Sequence, residues 1–468
     1  MPMKRVALLV SLVLSGCMVG PDYRRPDLTM PADWRTGPAQ PSSLADLAWW
    51  EVFNDPILQE LIRSAFDANR DVQVAVARIL EGRAQLGVAR AALFPQLGGG
   101  ASYDYTRPYS RNSFFLKGLP SGPSGSLLPE GDDYRASVDL TFELDLWGRL
   151  RRATEAARAE LLANEDNWRT VLTTLVADVA RAYFDLLELD RELEIARRTL
   201  ATREASLDLQ RRRAAQGLAT QLDVERADAE VAVASATVRD AERRAAQTEN
   251  GLNVLLGRNP GPVRRGAALD AQRVPPEVPP GLPSALLERR PDIRQAEGRL
   301  IAANARIGEA KAAYFPRISL TGMFGLESVS LSDLFTGGSK VWQAGPTMTV
   351  PIFTAGRISG TVKAREAQQQ RAVAQYLQTI QQAFREVEDS LVFHRAVREI
   401  RAERERRAAA LGRALVLANL RYERGLATYL DVLDAQRQLF QAELELASIM
   451  RDQLTAVVQV YKALGGGW

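Results

Sequence analysis

Residues Gly217-Leu218-Ala219-Thr220-Gln221-Leu222-Asp223-Val224 return as Gly425-Leu426-Ala427-Thr428-Tyr429-Leu430-Asp431-Val432, 208 residues later. Leu140 to Leu150, carrying Trp147-Gly148-Arg149, returns at the same offset as Met348 to Ile358, carrying Ala355-Gly356-Arg357. Ala92-Leu93-Phe94-Pro95 also returns, as Ala313-Tyr314-Phe315-Pro316, but 221 residues later, so thirteen residues are inserted between Phe94 and Leu140. A fixed-order echo of this length marks a duplicated structural unit rather than two unrelated domains. What one half builds, the other builds again.

Within each half the hydrophobic period changes in the same order. Helical spacing runs from Pro56, with a break near Asn69, to Leu93, where Phe94-Pro95 stops it because proline has no N–H and disfavours helix in the residue before it. Tyr134, Ala136, Val138, Leu140, Phe142, Leu144 and Leu146 then alternate with polar residues, a period-2 pattern much longer than a usual strand. Ala101, Tyr103 and Tyr105 supply the preceding strand. Ile318 to Leu326 and Val341 to Phe353 supply the second pair. Leu172, Val179, Leu186, Leu193, Leu200 and Leu207 recur by sevens, a coiled-coil seam on a helix of roughly 100 Å. Leu433, Phe440, Ala447, Leu454 and Tyr461 repeat by sevens on a returning helix, and Ala227, Ala229, Ala232 and Ala234 allow close helix approach.

The expected organisation is a signal peptide at 1–16, a lipid-anchored N-terminal tether and equatorial segment at 17–55, a first repeat at 56–270 and a second at 271–468. The first repeat contains a hairpin at about 97–146, a long helix at 148–216 and a returning helix at 218–257. The second contains a helix at 291–315, a hairpin at about 317–353, a long helix at 356–424 and a returning helix at 428–464.

Lys4-Arg5, the apolar run Val6 to Leu14 and Leu14-Ser15-Gly16-Cys17 have the layout of a signal peptide ending in a bacterial lipobox. Cys17 is the lipidation candidate, and it is the sole cysteine of the chain. Lipidation there leaves no thiol for a disulfide or a nucleophile. Met18 follows, not aspartate, which favours the outer membrane facing the periplasm.

Four strands with one apolar and one polar face cannot sit in lipid with open edges, because each unpaired N–H or C=O there costs several kcal/mol. Closure must come from further copies. Two copies give an eight-stranded barrel that side chains fill; three give twelve strands and a wet lumen, which suits Asp139, Glu143 and Asp145. The expected fold is an α+β membrane protein: a trimeric 12-stranded transmembrane β-barrel, four strands per protomer, continued by a long periplasmic α-helical barrel. A soluble sandwich would need more strands and leaves the long helices unexplained.

The lipobox followed by Val19-Gly20-Pro21-Asp22-Tyr23, both Phe-Pro helix ends, both Gly-Arg strand exits and both Gly-Leu-Ala-Thr turns resemble the bacterial outer membrane efflux protein family, the TolC-like exit ducts, in particular its lipoprotein branch. The resemblance covers the whole mature chain. It implies a homotrimer in the outer membrane, anchored to lipid, that passes small molecules outward from an inner-membrane pump and a periplasmic adaptor. It places Leu430, Asp431 and Asp434 at the periplasmic constriction and pairs Tyr422 with Asp223 as a tip lock. The arginine that accompanies this lock in the family corresponds to Ala427, leaving Arg421 or Arg424 as substitutes. Gly217, Leu218, Ala219, Thr220, Gly425, Leu426, Ala427 and Thr428 would meet the adaptor. Asp434 corresponds to Arg226 in the first repeat, so only the second tip carries the double aspartate.

No enzyme is expected, and no cofactor, metal or nucleic-acid partner. Sixty Lys and Arg against 57 Asp and Glu, interspersed, form no basic stripe. There is no phosphate loop. His394, the single histidine, falls on a helical stripe with Ile380 and Val387 and reads as a packed residue. A structural coiled-coil lipoprotein or a periplasmic adaptor is the alternative; either would lack barrel strands.

Overall fold

The computed structural model describes residues 18–28, 30–35, 37–38, 40, 42–48, 52, 54–106, 131–273 and 279–466. The signal segment and Cys17 lie outside these residues. Helices α1 (Pro56–Ala68) and α2 (Arg70–Ala91) lead into strands β1 (Gln96–Thr106) and β2 (Gly131–Leu144), then α3 (Arg149–Ala215) and α4 (Gln221–Leu255). The second repeat gives α5 (Pro291–Ala312), β3 (Arg317–Ser328), β4 (Lys340–Thr349), α6 (Arg357–Glu423) and α7 (Tyr429–Ala463).

The repeat is kept to the residue. α3 and α6 are both 67 residues long, and α4 and α7 are both 35; every end of one pair lies 208 positions from its counterpart. α2 and α5 are both 22 residues, offset by 221. β4 ends at Thr349, earlier than its sequence pattern predicts, and Pro351, which has no N–H to give to a ladder, follows it.

The chain packs as two units that cut across the repeats, because equivalent elements of the two halves lie side by side. The first unit holds Met1–Arg25, Glu81–Leu161 and Gly298–Val373. Its four strands form one antiparallel sheet in the order β1-β2-β3-β4. Leu97 faces Leu140, Leu140 faces Gly322 and Phe324 faces Trp342, so the apolar positions share one face. On that face Leu97, Tyr103, Tyr105, Val138, Phe324, Trp342 and Met348 are exposed. The strands are 10 to 14 residues long, enough for the roughly 9–11 that a tilted strand needs to cross a bilayer. Tyr103, Tyr105 and Tyr134 stand toward the loop end of the sheet, Phe324 and Trp342 pair four positions nearer the helices in the row of Val138, and Phe94, Trp147, Phe315 and Phe353 flank the helix end. Aromatic residues at both ends of an apolar band are the girdles of a membrane barrel. At the helix end Trp147 stacks on Phe315 (4.7 Å) and its indole N–H donates to the Pro316 carbonyl (2.8 Å). Beneath, α3 and α5 touch through Ala156, Ala159, Ala302 and Ala305.

The extended N-terminal segment is docked at its start. Val19 N–H donates to the Trp147 carbonyl (3.1 Å), Asn304 Nδ2 donates to the Pro21 carbonyl (2.9 Å), and the buried Arg152 donates to Asp22 (2.7 Å). Gly20 crosses Gly308 so closely that a Cβ on Gly20 would lie 2.4 Å from Gly308 Cα. The strap thus bolts the first repeat's α3 to the second repeat's α5.

The second unit holds Pro26–Leu80, Leu162–Glu297 and Ala374–Trp468. The α7 seam predicted by sevens (Leu433, Phe440, Ala447, Leu454, Tyr461) is buried throughout. On α3 the burial drifts off the strict heptad: Val179 and Leu186 are fully buried, whereas Leu193 and Leu200 are half-exposed and Ile195 and Ala196 replace them inside. Ala227 and Ala234 are buried in α4, but Ala229 and Ala232 face solvent. The later part of the tether also docks here: Trp34 is buried and its indole N–H donates to the Gly281 carbonyl (2.8 Å). Asp55 caps α1 and accepts from the buried Tyr183 hydroxyl (2.8 Å), whose pKa is raised chiefly by desolvation. Among the described residues no helix is long and apolar enough to cross a membrane.

Candidate functional site

Each long helix ends and reverses by the same chemistry. Gly217 and Gly425 adopt φ of 72° and 70°, a left-handed conformation that glycine takes without a Cβ clash. The amides of Gly217 and Leu218 donate to the carbonyls of Ala214 and Arg213, and those of Gly425 and Leu426 donate to Tyr422 and Arg421. This is the Schellman stop. Thr220 and Thr428 then open the returning helices with capping boxes: each threonine accepts from the amide three residues on, and Asp223 or Asp431 reaches back to the threonine amide and hydroxyl. Gly-Leu-Ala-Thr-x-x-Asp is therefore a complete helix stop and start. Leu218, Leu222, Leu426 and Leu430 are left exposed at the two turns, with Ala219 and Ala427 half-buried.

Two expectations change here. Asp223 spends its carboxylate on Thr220, and the Tyr422 hydroxyl pairs with Gln210 (3.0 Å), so the Tyr422 to Asp223 bond is not made within the protomer. The Arg213 guanidinium lies 4.9 Å from the Tyr422 ring centre, a contact that the sequence reading did not single out. Asp431 is likewise a cap before it is anything else. Bonds from the Thr428 side chain and amide hold its pKa below the usual carboxylate value. Asp434, one turn on, is exposed and accepts from Gln438 (2.6 Å).

Behind the turns, Leu207, Val224, Ala227, Tyr429, Val432 and Leu433 form the tip core. A polar knot sits inside it. Arg203 and Glu230, both nearly fully buried, pair at 3.0 Å, and the more exposed Arg437 of α7 also binds Glu230. Arg203 additionally lies 5.1 Å from the Phe440 ring centre. Arg203 and Gln210 fall three residues after Leu200 and Leu207 on the heptad seam. Polar residues at those inward positions were the available signal for this knot.

His394 is buried with Nε2 unpartnered, and burial and Arg398 push its pKa below the ordinary value. The folded chain keeps it neutral while the unfolded chain accepts a proton, so its contribution to stability is complete above about pH 6.5 and declines as pH falls below that value. Melting curves of a His394→Gln variant are expected to vary less than wild type between neutral pH and about pH 5; equal pH slopes would refute this. Among the described residues no group of three His, Cys, Asp or Glu is placed to hold a metal.

The model of the outer membrane efflux protein family matches residues 61–258 and again 282–466. The two matches begin 221 residues apart and end 208 apart, which are the offsets of the duplication itself. The chain belongs to the outer membrane efflux protein family. Similar relatives include the antibiotic efflux pump outer membrane protein ArpC of Pseudomonas putida, 39% identical over 469 residues (98% of this chain, 94% of ArpC). Outer membrane protein OprJ of Pseudomonas aeruginosa is 39% identical over 474 residues (99% and 95%). Among solved structures, the outer-membrane channel OprN matches with a TM-score of 0.88 at 31% identity, covering 97% of this chain and 100% of OprN. The open-state MtrE channel of Neisseria gonorrhoeae matches at 0.84 and 32%, covering 96% and 98%. As a member of this family, the chain is an outer membrane efflux channel protein, and it is the sheet and the long helices that carry the likeness.

Proposed function

We propose that three copies close into a twelve-stranded outer-membrane barrel continued by a helical tube, the exit duct through which an inner-membrane pump and a periplasmic adaptor expel small molecules. The observation that carries this reading is a four-stranded sheet with two open edges, whose strands run directly into 67-residue helices. Open edges are intolerable in lipid, and closure by copies satisfies them. Cys17 carries the lipid anchor. The exposed leucines of the two turns, with Gly217, Ala219, Thr220, Gly425, Ala427 and Thr428, form the adaptor contact, and Leu430, Asp431 and Asp434 ring the periplasmic opening.

ArpC is named for antibiotic efflux, and small amphipathic compounds of that kind are the cargo to try first. Deleting the chain from its host is expected to raise susceptibility to such compounds, with wild type restoring resistance; unchanged susceptibility contradicts the reading. At the tip, Asp431→Asn with Asp434→Asn removes charge while an amide oxygen still accepts at the cap. A ring of carboxylates favours cations at a mouth. Reversal potentials in a salt gradient are expected to show a lower cation preference in the double variant, and an identical preference excludes these aspartates from the opening.

A further inference from the structure

The duplication fixes how one copy pairs with the next. Within a repeat, β1 pairs Leu97 with Leu140, and β3 pairs Ile318 with Met348. Moving Leu97 on by 221 gives Ile318, and moving Leu140 on by 208 gives Met348, so the two offsets convert the first hairpin's register into the second's without error. The thirteen inserted residues therefore lie outside the paired stretches, between Thr106 and Gly131.

The junction between the repeats, β2 against β3, pairs Leu140 with Gly322 and Leu144 with Ile318. β4 is the counterpart of β2 and has no partner on its outer side; β1 is the counterpart of β3 and is equally bare. Moving Leu140 on by 208 gives Met348. Moving Gly322 back by 221 gives Ala101. We infer that β4 of one copy pairs antiparallel with β1 of the next in the register that sets Met348 opposite Ala101 and Ile352 opposite Leu97 of the next copy. This rests on the closed ring proposed above and specifies its seam.

Two independent observations agree with this register. It sets Pro346 opposite Tyr103 and Ala344 opposite Tyr105 of the next copy on the lipid side, and Thr347 opposite Ser102 on the other, so apolar meets apolar and hydroxyl meets hydroxyl. A slip of one residue would put every apolar side chain against the wrong face. The strand exits agree as well. Where Trp147 covers Phe315 inside the chain, the counterparts are Ala355 and the exposed Phe94 of the next copy. The first exit carries Asp145, whose carboxylate caps α3 through the Leu150 and Arg151 amides. Its counterpart is Phe353, 87% exposed beside Ile352 at 95%, an apolar pair that this register sets against Phe94-Pro95 of the next copy.

The test is disulfide trapping in the full-length protein. Directly opposed residues sit about 4.5–5.5 Å apart at Cα, within disulfide reach, whereas residues two positions out of register lie about 7–8 Å apart, beyond it. Ser102→Cys with Thr347→Cys, and separately Ala101→Cys with Met348→Cys, are expected to shift most of the chain from monomer to trimer mobility on a non-reducing denaturing gel, reversed by reductant. Ser102→Cys with Thr349→Cys is expected to stay monomeric. Trimers in detergent that trap only with the shifted pair, or with none of the pairs, overturn the register alone. A monomer by light scattering in wild type and variants overturns the ring and the seam together.

Discussion

Replacing Glu230 with alanine is expected to unravel the tip before any other part of the long helices. The change leaves Arg203, whose side chain is 3% exposed, as a desolvated cation without a carboxylate. Breaking a buried pair by removing one partner costs about 3–5 kcal/mol. Hydrogen exchange should report that as a loss of protection of roughly 10²-fold or more around Leu207 and Val224. Removing both members, Arg203→Met with Glu230→Leu, is expected to recover most of the loss, because the desolvation cost leaves with the charges. Arg437→Ala should do far less, since its side chain is 54% exposed and water replaces the carboxylate. Equal losses in Arg437→Ala and Glu230→Ala would remove Arg203 from the explanation.

Gly308→Ala is expected to expel the N-terminal strap. In an open helix position the exchange stabilises, by about 0.5–1 kcal/mol. Here the new Cβ would lie 2.6 Å from the Val19 carbonyl oxygen and 2.9 Å from Arg152 Cγ. The strap must lift, and with it go the bonds of Val19 to Trp147, Pro21 to Asn304 and Asp22 to Arg152. Limited proteolysis should then cut near Tyr23 in the variant and not in wild type. Gly87→Ala, where the added carbon meets nothing within 4 Å, is the control and should leave the strap protected. A strap that survives in Gly308→Ala would mean that α5 yields more readily than its alanine contacts imply.

These two results fall where the sequence was hardest to read. The strands, long helices and turns were legible because each has its own period or punctuation: Tyr134 to Leu144 alternates, the α7 seam repeats by sevens, and Gly217 and Gly425 precede threonine caps. Periodicity says which face is apolar. It does not say which distant polar groups meet on that face, so Arg203, Glu230 and Arg437, from three helices, stayed hidden. The strap carries no period at all. Val19-Gly20-Pro21-Asp22 reads as a spacer until the facing glycine on α5 shows what it lies against. Asp223 and Asp431 were visible as conspicuous acids, and the threonine three residues before each was the signal for the capping boxes that they complete. Arg226 opposite Asp434 is one of several places where the two tips differ in charge, with Glu225 opposite Leu433 and Asp228 opposite Gln436.

The proposed trimer is a tube that crosses the outer membrane and narrows at its periplasmic tips. Single-channel recording of the purified full-length protein in planar bilayers tests this most directly. Discrete, cation-preferring conductance steps are expected from material that runs as a trimer until heated. Trimeric protein that inserts and never conducts would contradict it.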